Sequence, residues 1–130
     1  MRPFLDTNIL VYAVSNDRRQ RRAQELLAAG GTISVQVLGE FTNVLLNKLR
    51  KGWPDIEAAL EDICTVLDPA TPLTVGTHQA ARALARDHGL SFYDALIAAA
   101  ALEAGCDTLL SEDMQDGHVV RGLTIVNPFA

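Results

Sequence analysis

Between Asp94 and Glu103 the chain runs Ala-Leu-Ile-Ala-Ala-Ala-Ala-Leu without one charged or polar side chain. Ala and Leu favour helix. A helix that is apolar all round has no face to show to water, so it must be buried. At eight residues the run is far short of the ~20 that a membrane span needs. It therefore belongs inside a protein core, with its two flanking acids at the margin.

The rest of the chain supplies what covers it. Short apolar runs alternate with helical patterns. Pro3 to Asp6 reads as a strand, followed by a short helix through Val14 and a turn at Ser15-Asn16. Helices are expected over 17–29, 35–51, 54–67, 75–88 and 91–104, ended by Gly30-Gly31, Gly52, Gly89 and Gly105 or opened by Pro54. Thr32 to Ser34, Asp107 to Ser111, Val119-Val120 and Leu123 to Val126 are strand candidates. Strands separated by helices predict an α/β fold with a mainly parallel sheet. At 130 residues the chain reads as one domain, residues 1–130.

Composition excludes several functions. A net charge of −5 argues against a general electrostatic grip on nucleic acid, though not against a local basic patch or a substrate met through bound cations. Cys64 and Cys106 are far apart, in apolar helical contexts, and read as buried thiols. His78, His88 and His118 show no ligand spacing, so a zinc site is not expected. The first apolar run is broken by Asp6, against a signal peptide, and a reducing cytoplasmic setting fits.

Four acids stand where a core pattern would not place them. Asp6 ends the first strand, and Asp113 follows the strand after Gly105. Function in open α/β sheets gathers at such carboxyl ends. Glu40 borders the stripe of Val37, Phe41, Val44 and Leu45. Asp94 opens the charge-free helix, with Ile97, Ala98 and Ala101 on its side. Each has a bland reading. Asp6 caps a helix, Glu40 reaches out to water, and Asp94 with Ser91 matches the capping-box pattern. Convergence would change that. Gathered carboxylates repel, and at least one should hold its proton above the usual range unless a cation offsets them. Oxygen ligands without Cys or His suit Mg²⁺ or Mn²⁺, which take substrate phosphates as further ligands.

The segments "FLDTNILVYA", "LGEF", "FYDALIAAAA" and "LLSEDMQDG", in order across nearly the whole chain, resemble the four acidic motifs of the PIN-domain family. More narrowly they resemble VapC-type toxins, the ribonuclease half of bacterial toxin–antitoxin pairs. The resemblance implies a three-layer α/β/α fold around a short parallel sheet. It implies a Mg²⁺- or Mn²⁺-dependent endoribonuclease in which activated water attacks phosphorus. Asp6, Glu40, Asp94 and Asp113 would be the catalytic acids. Asp6, Asp94 and Asp113 would be metal ligands, and Glu40 would act through water or on a second ion. Asn8, Ser111 and Asp116 would support them. An RNA substrate, a cognate antitoxin and a homodimer are the implied partners.

Other readings fare worse. A haloacid-dehalogenase-type enzyme or a receiver domain would want a lysine near the site, and the only lysines, Lys48 and Lys51, close one helix. A non-catalytic RNA- or protein-binding scaffold is argued against by the complete set of four acids. A ribosomal-RNA processing nuclease stays open beside the toxin. Lys48, Arg50 and Lys51 suit a helix C-terminus. Arg18, Arg19, Arg21 and Arg22 crowd one stretch and are candidates for RNA or antitoxin contact.

Overall fold

The computed structural model describes residues 2–130. Its elements are β1 (Phe4–Leu5), α1 (Thr7–Ala13), α2 (Gln20–Ala29), α3 (Val35–Asn47), α4 (Trp53–Val66), α5 (Val75–His88), α6 (Phe92–Glu103), β2 (Thr108–Leu110), β3 (Val119–Val120) and β4 (Leu123–Val126). They form a three-layer α/β/α arrangement around a sheet of order β1-β2-β4-β3. β1 pairs parallel with β2, with Leu5 opposite Leu110, and β2 pairs parallel with β4. Only the β3–β4 hairpin is antiparallel. The sheet is therefore mainly parallel, as the alternation of elements requires.

The charge-free helix is where its composition demands. All seven residues from Ala95 to Ala101 are buried. α6 packs against β2 and β4 on one side and α5 on the other. Its small side chains let both neighbours approach closely. Phe4, Leu5, Leu109, Leu123 and Ile125 complete the core beneath it.

Three local expectations are corrected. Thr32 to Ser34 is not a strand but makes two isolated parallel bridges, Phe4 to Thr32 and Ser34 to Thr71. Ser34 already caps α3, its hydroxyl accepting the Val37 N–H, so the chain turns before a ladder can form. α2 starts at Gln20 rather than Asp17, because the Asp17 carboxylate accepts the Arg19 backbone N–H (2.8 Å) and holds a turn there. α3 stops at Asn47 rather than running to Lys51. Arg50 adopts φ 53°, and the Lys51 N–H returns to the Leu45 carbonyl (2.8 Å), a left-handed helix stop built without glycine.

Of the two thiols read as buried, Cys106 is buried and Cys64 is exposed. Cys64 falls on the outer side of α4, whose inward stripe is Ile56 and Ile63. No helix among the described residues is long and apolar enough to cross a membrane.

Candidate active site

The carboxyl ends of β1 and β2 lie side by side, with the Asp6 N–H donating to the Leu110 carbonyl at 3.0 Å. Everything at the site hangs on the two residues that follow those strands, Asp6 and Ser111. Asp6 does cap α1, but through one oxygen only: its Oδ1 accepts the Thr7 N–H at 2.7 Å. Its Oδ2 accepts the Ser111 hydroxyl at 2.7 Å. The Ser111 oxygen in turn accepts the N–H groups of Asp113 (3.2 Å) and Met114 (3.3 Å). A wholly buried serine thus fixes both the first acid and the loop that carries another.

Thr7 and Asn8 extend this outward. The Thr7 hydroxyl donates to Glu40 Oε1 at 2.6 Å, tying α1 to α3. Asn8 Nδ2 donates to Asp113 Oδ2 at 3.0 Å, and Asn8 Oδ1 accepts the Glu112 N–H at 3.4 Å. Gln36, one turn before Glu40, donates to Glu40 Oε2 and to the Tyr93 carbonyl, both at 3.2 Å. That carbonyl belongs to the first turn of α6, one residue before Asp94.

Asp6, Glu40 and Asp113 are therefore brought together. Burial pushes the Asp6 carboxyl up to about 6. The bonds from Ser111 and Thr7 pull it down, and the charges of Glu40 and Asp113 push it up by lesser amounts. One carboxylate does hold its proton above the usual range, as gathered acids require, but desolvation outweighs repulsion as the cause.

Asp94 stands half-buried at the start of α6. Only half of its capping pattern is formed. Ser91 accepts the Asp94 N–H at 3.4 Å, while the Asp94 carboxylate makes no hydrogen bond among the described residues. Asp116 is not drawn into the cleft: it is exposed, and its Oδ1 accepts the Asn127 N–H at 2.8 Å, closing the loop after β2 against the end of the chain. Among the described residues no three His, Cys, Asp or Glu side chains stand close enough to encircle an ion.

Thr7, Asn8, Glu40 and Asp113 open onto a cleft of about 420 Å³, whose other walls include Tyr12, Asn43 and Lys48. Among the described residues Lys48 is the only cation there. Thr7, Gln36 and Lys48 were not legible as site residues. Thr7 reads as part of the turn after β1 and Lys48 as a dipole partner, and nothing in the sequence pattern marks Gln36.

The arginine cluster divides. Arg19 is bidentate on Asp17 (2.8 and 2.9 Å), pairs with Glu112 at 2.5 Å, and lies 3.9 Å from the Tyr12 ring centroid. It clasps the turn before α2 to the loop after β2. Arg18, Arg21 and Arg22 are exposed, and Arg22 reaches Glu25 (3.7 Å) and the Pro128 carbonyl (3.3 Å).

Residues 4–115 match the family model described as PIN domain. The chain belongs to the PIN domain family. Among solved structures, this PIN domain resembles Mycobacterium tuberculosis VapC20, described as a sarcin-ricin loop cleaving toxin, with 27% identity, 85% of this chain and 90% of that one covered, and a TM-score of 0.67. It shares its fold with a toxin–antitoxin complex from Klebsiella pneumoniae (22% identity, 97% of each chain, TM-score 0.72). It also shares it with VapBC2 from Rickettsia felis, solved on a fragment of promoter DNA (22% identity, 96% and 97% covered, TM-score 0.67). No curated protein sequence matches the chain.

Proposed function

We propose that this PIN domain is a divalent-metal-dependent endoribonuclease, the VapC-type toxin of a toxin–antitoxin pair, with residues 1–130 forming the single catalytic domain. The observation that carries the reading is the linkage of Asp6, Glu40 and Asp113, from three separate elements, through Ser111, Thr7 and Asn8 at the carboxyl edge of a parallel sheet. A fold needs one cap at Asp6. It does not need Glu40 and Asp113 tied to the same turn and opening onto one cleft.

The donor set fits Mg²⁺ or Mn²⁺. It is oxygen-only, with neither Cys nor His lining the cleft. Acids that do not close into a cage suit an ion that keeps several waters and takes only one or two carboxylates directly. Asp6, Asp94 and Asp113 are the residues that would hold it, no more than two of them directly and the rest through its waters. Bound there, the ion would activate water and offset charge on the phosphodiester.

The chain's own residues do the positioning. Ser111 and the Thr7 N–H fix both oxygens of Asp6. Asn8 holds Asp113 toward the cleft. Thr7 and Gln36 pin Glu40, leaving its carboxylate on the cleft wall to orient water and accept a proton. No side chain needs to act as nucleophile. By likeness to VapC20 the substrate is RNA, and by likeness to the complexes the partner is an antitoxin. A homodimer and a cytoplasmic setting complete the proposal.

The test is cleavage of a stem-loop RNA in Mn²⁺ by wild type and Asp94→Asn, with the product ends examined. Attack by water leaves no 2′,3′-cyclic phosphate. Loss of cleavage in a folded Asp94→Asn protein is expected. Cyclic ends, or equal cleavage by the variant, would overturn the reading.

A further inference from the structure

A second groove, of about 530 Å³, continues from the acidic cleft. The two share Val11, Tyr12, Val44 and Lys48 as common wall. The acidic cleft carries Glu40 and Asp113, Lys48 stands in the wall common to both, and the far groove adds Lys51. The charges there differ in kind. Arg19 and Asp17, also in the groove wall, neutralise each other at 2.8 Å. Lys48 and Lys51 are exposed, and among the described residues neither has a carboxylate within ion-pair reach. In a chain of net charge −5, these are the unpaired cations that line the two clefts.

Geometry gives the groove a direction. Glu40 and Val44 on α3 and Lys48 at its C-cap follow one another at i, i+4 and i+8, so Glu40 and Lys48 are about 12 Å apart along the axis. That is longer than one nucleotide. A polyanion held at the acids alone would be repelled. A strand that continues toward Lys48 meets a cation beyond the cleavage point.

The aromatic ring in the groove wall, Tyr12, is already engaged within the protein. The Tyr12 ring is covered by the Arg19 guanidinium on one face and met by Phe129 in a T-shaped contact, centroids 5.3 Å apart. Base reading on single strands commonly stacks a base on a ring that is open to it.

We propose that the groove between α1 and the end of α3 binds the RNA backbone flanking the cleaved bond, with Lys48 and Lys51 each pairing with a phosphate, and that it does so without reading sequence. This rests on the ribonuclease reading above and extends it to a strand path.

The experiment compares wild type, Lys48→Gln/Lys51→Gln, and Arg82→Gln, the last removing an exposed cation on α5 that lines neither cleft. Binding of two stem-loop RNAs of unrelated loop sequence is measured by fluorescence anisotropy in EDTA at several KCl concentrations. Cleavage of both is measured in Mn²⁺, and thermal midpoints check the fold. The double variant should bind both RNAs several-fold more weakly. It should also lose about 1.4 from the slope of log K against log salt, about 0.7 for each single-strand phosphate contact. Its KM should rise with kcat unchanged, and Arg82→Gln should match wild type. If wild type binds and cleaves RNA while the double variant keeps its affinity and slope, the strand path is wrong and the ribonuclease reading stands. If only one of the two RNAs is weakened, the groove reads bases and the proposal fails. If wild type neither binds nor cleaves RNA, both fall together.

Discussion

Ser111 and Asp6, the residues that follow two adjacent parallel strands, are joined by a 2.7 Å hydrogen bond in which the serine donates and a buried carboxylate accepts. Ser111→Ala removes that donor. It also removes the acceptor for the Asp113 and Met114 N–H groups. The expected cost is about 2–3 kcal/mol, because buried partners are left unpaired. The bond lowers the Asp6 pKa, so its loss raises that pKa further and the variant suffers more where Asp6 is ionised. Urea unfolding at pH 5 and pH 8 in EDTA checks this. Equal losses at both pH values would mean that the serine supports only the loop.

Asp6 itself gives a stability profile opposite to that of an ordinary carboxylate. Its folded pKa of about 6 lies above the unfolded value, so the folded state holds the proton more tightly. The contribution is full below about pH 3.9 and is lost as pH rises through 6, a change of about 3 kcal/mol. The difference between wild type and Asp6→Asn isolates Asp6 with its coupling to Glu40 and Asp113, since acids remote from it cancel. In EDTA, from pH 4 to pH 8, wild type should fall relative to Asp6→Asn. A constant difference would show that Asp6 does not titrate anomalously.

Arg19 and its neighbours should separate by experiment as they do in space. Arg19→Gln breaks the clasp to Asp17 and Glu112 and should lower the thermal midpoint. Joint replacement of Arg18, Arg21 and Arg22 by Gln should leave stability within about 0.5 kcal/mol, as surface changes do, and weaken RNA or antitoxin binding with a shallower salt slope. The converse pattern would return Arg19 to the binding surface.

What could be read in the sequence was what local chemistry decides. Gly89, in left-handed conformation at φ 70°, ends α5 where a glycine was expected to. The charge-free run of α6 announced its own burial. Asp6 and Asp113 were legible because they follow apolar strands. What could not be read depends on which faces meet. The Thr7–Glu40 bond exists only because α1 packs on α3, and no spacing links residues 33 positions apart. Arg19 looked like one of four equal charges until Asp17 and Glu112 were found on either side of it. Lys48 suited a helix end, and only the shape of the surface places it beside the acids.

The central claim is that Asp6, Asp94 and Asp113 act as one divalent-metal site. Asp94 is the member whose place in it rests on the least geometry, so it makes the sharpest test. The measurement is the thermal unfolding midpoint of wild type and Asp94→Asn at pH 7.5, in EDTA and in Mn²⁺. At a hundredfold excess over Kd, Mn²⁺ should stabilise wild type by about 2.7 kcal/mol, and Asp94→Asn should lose most of that rise while remaining folded in EDTA. An equal rise in both proteins would remove Asp94 from the site, and no rise in wild type would contradict the metal-dependent account altogether.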